Sequence, residues 1–354
     1  MLATYGLHTQ FRKSDLPGRK NNMWRYFEMM PVLHEDNIVT LGEGMTPIIK
    51  MEKLGNKYNL PALLLKDESL NPTGSFKARG LSAAISKAKE LGVERCIIPT
   101  AGNAGGAMSA YCAKAGMKAI VVMPRHTPKV FKEECELYNA ELILEEGLIS
   151  HCAKKVAAIK KERDCFDLST FKEPYRLEGK KTMGYEIAEQ LNWVLPDVVL
   201  YPTGGGTGLV GIWKAFEEMI SMGWIPNKLP RMIAVQAENC CPILQTWTGA
   251  QADSRNYIGK PSVANGLAVP NPFAEDLMLK TLNESKGTVI AISDADMIKA
   301  VKEIAREEGM LIAPEGAALL PALLRLIEEG HIGRNENILL LNTGSGYKYL
   351  ENIM

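Results

Sequence analysis

The chain carries no excess charge of either sign. Its 41 Lys and Arg balance 41 Asp and Glu over 354 residues, and no long block is of one sign. A surface for nucleic acid or an anionic membrane needs a basic excess, so neither partner is expected. No apolar run approaches the roughly 20 residues that span a bilayer. The stretch from Met1 to Lys20 mixes polar and basic residues and has no apolar signal core, which predicts a cytoplasmic protein. A disulfide or metal framework is missing too. Cys96, Cys112, Cys135, Cys152, Cys165, Cys240 and Cys241 are odd in number and scattered, with no two-residue gap of a metal knuckle. His8, His34, His126, His151 and His331 are as dispersed, so reduced thiols and no metal are expected. No Walker loop occurs, because no Gly-Lys-Ser/Thr follows a glycine-rich turn.

What is present is an ordinary globular composition, 46% hydrophobic and 23% charged, long enough for about two domains. Residues 1–40 read as a polar arm whose aromatic cluster, Met23-Trp24-Arg25-Tyr26-Phe27, packs on the body. The apolar run Ala62-Leu63-Leu64-Leu65 leads into the turn Asn71-Pro72-Thr73-Gly74-Ser75-Phe76-Lys77 and a helix over 81–91. Strands at 95–99, 118–123 and 141–144 then alternate with helices ending at 115, at 130–138 and at 150–163. After a junction at 167–176, helix 177–191 opens a second alternating set. Its strands are 197–201, 232–236, 288–292 and 338–341, and its helices are 209–222, 274–282, 294–309 and 316–330. Alternation of this kind predicts an α/β fold of two parallel-sheet domains, one inserted in the other. The expected division is 1–90 with 173–354 for the large domain and 91–172 for the small one.

Ligands of open parallel sheets bind at the carboxyl ends of strands. Four loops have that placement, 71–80, 100–106, 202–208 and 342–348. Lys77 stands near a helix start, where the macrodipole disfavours a cation. It is either a solvated lysine or one kept partly neutral for Schiff-base chemistry. Thr203-Gly204-Gly205-Gly206-Thr207-Gly208 folds tightly at the positive end of a helix. That suits a phosphate, with Thr203 and Thr207 as hydroxyl donors, or else merely a tight connection. Asn103 is a helix cap or a ligand contact. Asn342-Thr343-Gly344-Ser345-Gly346 is a polar turn or a second contact.

The order of these four signals, Ser-Phe-Lys, Ala-Gly-Asn, the glycine cradle and the terminal Thr-Gly, resembles the fold-type II pyridoxal-phosphate enzymes, the tryptophan synthase β-like architecture. The resemblance runs from about Trp24 to Tyr349. Four phrases are most similar to threonine synthases: Leu41 to Pro47, Asn71 to Lys77, Arg176 to Thr182, and Thr343 to Lys348. It implies pyridoxal 5′-phosphate as cofactor and Lys77 as its Schiff-base lysine and proton shuttle. Asn103 would meet the 3′-oxygen, Gly204, Gly205, Gly206, Thr207 and Gly208 the phosphate, and Thr343 the pyridine nitrogen. Ser75, Thr100, Ala101 and Gly102 would bind the substrate carboxylate. Ser169, Arg176, Lys180 and Lys181 are either a solvated helix start or the site of a leaving phosphate.

The implied reaction converts O-phosphohomoserine and water into threonine and phosphate. A threonine/serine dehydratase, a β-replacement synthase such as cysteate synthase, and a non-catalytic metabolite-binding protein are the alternatives. The sequence departs from the threonine synthase pattern at Ala78, where aspartate is usual after the lysine, and at Ala104. It departs again in the dehydratase-like glycine loop and in Ala313-Pro314-Glu315. A homodimer is expected from the family's habit and the apolar cluster at 23–27. The absence of a separate regulatory domain before Met354 predicts no feedback control of the two-domain dehydratase type.

Overall fold

A computed structural model describes residues 2–6, 11–147 and 149–354. His8 therefore lies outside the described residues. In chain order the strands and helices are β1 (Ile48–Lys50), α1 (Glu52–Tyr58), β2 (Leu63–Asp67), α2 (Lys77–Glu90), β3 (Arg95–Pro99), α3 (Asn103–Ala115) and β4 (Lys118–Pro124). There follow α4 (Lys129–Leu137), β5 (Glu141–Glu145), α5 (Ile149–Glu162), β6 (Phe166–Asp167), α6 (Tyr175–Gln190), β7 (Val198–Pro202) and α7 (Thr207–Ser221). The chain continues through β8 (Arg231–Ala237), α8 (Pro242–Trp247), α9 (Glu275–Glu284), β9 (Thr288–Ile292), α10 (Asp294–Glu308), α11 (Pro314–Ala317), α12 (Leu319–Glu328) and β10 (Ile338–Asn342). Ser293 starts α10 by accepting the amide of Asp296, and Gly309 stops it in the left-handed conformation that glycine adopts without strain.

The fold is α/β with two sheets, and the chain divides into two units. The first comprises residues 1–45 and 71–182, the second 46–70 and 183–354. The small domain expected at 91–172 falls inside the first unit, which also takes in the arm and α2. The reason is packing. Met23, Trp24, Met30 and Val32 form an apolar cluster with Ala83 of α2, and α2 lies against α3. Trp24 Nε1 donates to Ser82 Oγ at 3.1 Å, and Ser82 Oγ donates to Val39 O at 2.8 Å, so the arm is laced to that helix.

The first unit has a parallel sheet in the order β5-β4-β3-β6. From β3 the chain steps to β4 and β5 on one side, then returns to β6 on the other. The switch point therefore lies at the carboxyl ends of β3 and β6. Ile97, Ile120, Val122, Cys152, Val156 and Ile159 make the core between this sheet and α5. The second unit has six strands in the order β1-β2-β10-β7-β8-β9, with β1 antiparallel and the others parallel. Its switch point lies between β7 and β10. Every residue of those two strands is buried, so both read as continuous apolar runs. All seven cysteines are buried and unpaired. Among the described residues no helix is long and apolar enough to cross a membrane.

Candidate active site

In the first unit, Thr73 and Gly74 take left-handed backbone angles of φ 60° and 65°, and Gly44 N donates to Asn71 Oδ1 at 3.0 Å. The turn delivers Ser75 in extended backbone and Lys77 as the first residue of α2. Lys77 is half-buried, with Nζ 4.2 Å from the centroid of the Phe76 ring. Ser75 is 1% exposed, and its Oγ makes no hydrogen bond among the described residues. Glu43, the acid of the Leu41 to Pro47 phrase, has a structural task. It is fully buried and accepts from Trp24 Nε1 at 3.0 Å, Tyr111 Oη at 2.5 Å and Leu41 N at 2.9 Å.

At the end of β3, Gly102 occupies the N-cap of α3 and Asn103 is the first helical residue, with no side-chain cap. The capping reading of Asn103 is thereby replaced. The positive end of a 13-residue helix opens at Ala101 to Asn103. Thr100 is less available than its sequence position suggests. Its amide donates to Val122 O at 3.0 Å, and its Oγ accepts from Gly102 N at 3.2 Å. Ser169, at the neighbouring end of β6, donates its hydroxyl to Asp167 Oδ1 at 2.5 Å and is spent in that turn.

The three cations of α6 part ways because successive helical residues are turned by about 100°. Lys181 pairs with Glu178 at 2.7 Å, both fully buried, and its Nζ lies 4.0 Å from the Tyr5 ring centroid. Neutralised there, it leaves the expected anion site. Arg176 and Lys180 share another face. Arg176 Nη1 donates to Leu168 O at 2.5 Å, while its buried Nε has no hydrogen-bond partner among the described residues. Lys180, 1% exposed, holds Nζ 5.1 Å from the Phe76 centroid. Gly80 makes that approach possible, since a Cβ there would sit 3.0 Å from Lys180 Cε and 2.7 Å from Arg176 O. Burial pushes Lys180 well below the usual lysine range, and the charges of Arg176 and Lys77 push the same way. Burial likewise raises Glu173, against the pull of Arg176. Phe76, Gly80 and Glu173 belong to this cluster, and no motif had pointed to them as part of it.

In the second unit, β7 ends at Pro202 and α7 begins at Thr207, so residues 203–206 are the cradle. The backbone amides of Gly204, Gly205 and Gly206 make no hydrogen bond among the described residues. Gly206 is left-handed at φ +76°, and a Cβ on it would strike Met278. A Cβ on Gly204 would strike Gly266 O, and one on Gly208 the Tyr201 hydroxyl. Thr203 corrects an expectation. Its hydroxyl donates to Tyr201 O at 2.9 Å and is no phosphate donor. Glu315 buttresses the loop facing Gly204 by accepting from Gly266 N and Tyr349 Oη, each at 2.8 Å. Thr343 follows β10 in the same sheet, 6% exposed, and its hydroxyl makes no hydrogen bond among the described residues.

Unspent amides at a helix N-terminus fit a phosphate, and an unspent hydroxyl at the next strand end fits a ring nitrogen that needs no charged partner. The donor set suits pyridoxal 5′-phosphate. The sequence pattern of the family described as "Pyridoxal-phosphate dependent enzyme" matches residues 39–344. The threonine synthase of Methanocaldococcus jannaschii is 35% identical over 331 residues, 93% of this chain and 81% of that protein. That of Methanosarcina acetivorans is 33% identical over 91% of this chain and 79% of its own length. Among solved structures, maize serine racemase superposes with a TM-score of 0.70 at 21% identity, covering 85% of this chain and 89% of that one. Threonine deaminase isoform 2 of Solanum lycopersicum gives 0.72 at 18% identity, covering 98% and 92%. Both are fold-type II architectures, so the neighbours agree on the fold. Its sequence, its two sheets and its donor set place the chain among the pyridoxal-phosphate-dependent enzymes of fold type II, to which it belongs.

Proposed function

We propose that this enzyme is a threonine synthase-like carbon–oxygen lyase that converts O-phosphohomoserine and water into threonine and phosphate. The observation that carries the reading is the pair Arg176 and Lys180, buried together on one face of α6 with Lys180 sharing the Phe76 ring with Lys77. A phosphate leaving group needs such donors in a water-poor place. The 35% identity to a threonine synthase over most of the chain supports it.

Pyridoxal phosphate supplies an electron sink for charge that develops at the substrate α-carbon. Lys77 would hold its aldehyde carbon, Asn103 its 3′-oxygen, Gly204 to Gly208 its phosphate and Thr343 its pyridine nitrogen. Lys77 Nζ would be the base for the α-proton and then for a β-proton. The Ser75 hydroxyl and the amide of Ala101 orient the substrate carboxylate at the α3 N-terminus, while the Gly102 amide is held by Thr100 Oγ. Thr100 serves by shaping that loop, and Arg176 with Lys180 takes the phosphate that leaves. Ser169 and Lys181 take no direct part.

One observation favours a second reading. Ala78 is fully buried where an aspartate is usual, which suits a dehydratase that expels hydroxide and needs no second phosphate site. The purified enzyme should be given O-phosphohomoserine, phosphoserine, threonine and serine in parallel, scoring phosphate, threonine and 2-oxo acid. Threonine and phosphate in equal amounts support the proposal. A 2-oxo acid from threonine, with O-phosphohomoserine untouched, overturns it for the dehydratase. Turnover of phosphoserine alone points to a β-replacement synthase, and turnover of nothing to a binding protein. A cytoplasmic homodimer goes with this reading, on the family resemblance alone. Met23, Trp24 and Tyr26 are buried inside the protomer and are not spare interface. Sedimentation tests the dimer.

A further inference from the structure

β2 ends on a run of buried charge, Lys66-Asp67-Glu68, whose members part because successive residues along a strand point to opposite faces. Lys66 and Glu68 share one side with Glu186. There Lys66 Nζ lies 3.0 Å from Glu186 and 3.9 Å from Glu68, all three fully buried. Asp67 turns the other way. Its partner in register on the neighbouring parallel strand is Asn342, the last residue of β10.

Asn342 is fully buried and Asp67 is 5% exposed. Asn342 Nδ2 donates to Asp67 Oδ1 at 2.7 Å, and the same oxygen accepts from the amide and hydroxyl of Ser69 at 3.1 and 2.6 Å. A carboxylate only accepts, so it takes the amide nitrogen and leaves the amide oxygen of Asn342 turned away from it. That oxygen accepts from Gly344 N at 3.4 Å, and a Cβ on Gly316 of α11 would strike it. Gly344 O in turn accepts from Ala313 N at 2.9 Å. The Asn342 side chain therefore spans Thr343, tied to Asp67 at one end and to the residue after Thr343 at the other.

We propose that Asp67 and Asn342 are positioning residues for the pyridine nitrogen of the cofactor, acting through Thr343 by fixing the turn that carries its hydroxyl. Asp67 selects the orientation of the Asn342 amide, and that amide holds the peptide beyond Thr343. The physical need is directional. A charged partner attracts a ring nitrogen from any angle, but a neutral hydroxyl offers one hydrogen bond that weakens steeply out of line. An enzyme with threonine at this position needs the turn held still. The inference rests on the Thr343 contact proposed above, and not on the identity of the substrate.

The test reads the ring nitrogen itself. Cofactor isotopically labelled at the pyridine nitrogen is loaded into the enzyme, and its nitrogen resonance is recorded without substrate. The cofactor dissociation constant is measured by dialysis alongside. Thr343→Val should move the resonance and weaken cofactor binding about tenfold. Asn342→Leu should move the resonance in the same direction while far-ultraviolet circular dichroism stays native. Both changes together should match Thr343→Val alone, because a residue that acts through the hydroxyl then has nothing to act on. Asn342→Asp sets two carboxylates against each other and should weaken cofactor binding about tenfold or more. Adding Asp67→Asn rebuilds the bond in the reverse sense and should recover most of that loss.

A resonance moved by Thr343→Val but not by Asn342→Leu overturns the proposal and leaves the Thr343 contact standing. Additive effects in the double variant overturn it too, since the pair would then be a general brace. A resonance that Thr343→Val leaves in place removes the contact and this inference with it. If Asn342→Leu does not fold, the exchanged pair decides: recovered affinity supports the proposal, and affinity that stays low overturns it. No substrate enters the measurement, so failure of the threonine synthase reading would leave this inference intact.

Discussion

Lys77 and Lys180 direct their side-chain nitrogens at one ring, that of Phe76, from 4.2 and 5.1 Å. A cation over an aromatic face gains about 0.5–2 kcal/mol, but two cations on one ring repel each other. Attachment of Lys77 to an aldehyde removes one of the two amines from that ring. Replacing Lys77 by Ala should abolish the visible absorbance band of the lysine-bound cofactor while far-ultraviolet circular dichroism stays native. A band that persists would sink the assignment of Lys77.

The cradle is tested by steric demand. Gly208→Ala puts a methyl against the Tyr201 hydroxyl inside a buried turn. Overpacking of this kind costs about 1–3 kcal/mol. If the cradle holds the cofactor phosphate, dialysis equilibrium should show cofactor bound roughly tenfold or more weakly than in wild type. Unchanged affinity with a lowered melting temperature would make the turn merely structural.

Lys181 distinguishes ligand from scaffold. Breaking its fully buried pair with Glu178 leaves an uncompensated carboxylate, which costs about 3–5 kcal/mol. Lys181→Met should lower the urea midpoint accordingly, and the added change Glu178→Leu should restore much of it. KM for the phosphorylated substrate should rise far less than in Arg176→Ala. An equal rise in both would return Lys181 to the anion site.

Acid stability should follow Glu90. Burial works against its charge, but the Lys87 ammonium and the Leu33 and His34 amides outweigh that and bring the carboxyl from 4.5 to about 2. A folded value below the unfolded one means stability that is fully present above about pH 4.5 and is lost as pH falls towards 2. Solvent screening at this partly exposed site limits the effect to about 1–2 kcal/mol. Glu90→Gln should be less stable than wild type by that amount at pH 6, and the gap should close near pH 2.5. A gap independent of pH would locate the effect elsewhere.

Much of the fold was legible because turns and apolar runs punctuate it cleanly. The bounds of β3 and β9 stand as the spacing predicts, and Ser293 and Gly309 mark the two ends of α10. The apolar stretch predicted as one helix over 316–330 is two, α11 and α12. Pro321 has no N–H for the carbonyl of Ala317, so the ladder breaks there. α1, α8 and the two-residue β6 are too short to leave a periodic signal.

The unit boundary was hidden as well, because it falls within the continuous helix α6, between Thr182 and Met183. Within the site, loop positions were readable but partners were not. α6 is buried around its whole circumference from Arg176 to Ala188, so hydrophobic periodicity could not tell the face of Lys180 from that of Lys181. Likewise no sequence pattern ties Glu315 to Gly266 across about fifty residues.

The lacing of the arm to α2 has one more consequence. Trp24 is the single tryptophan in residues 1–45 and 71–182, and the other four all lie in the second unit. Its ring is 4% exposed, and its indole N–H is shared between Glu43 and Ser82. With Trp193, Trp213, Trp224 and Trp247 replaced by phenylalanine, the protein would keep one buried fluorophore. Its emission would follow the melting of the lysine-bearing unit and of no other part of the chain.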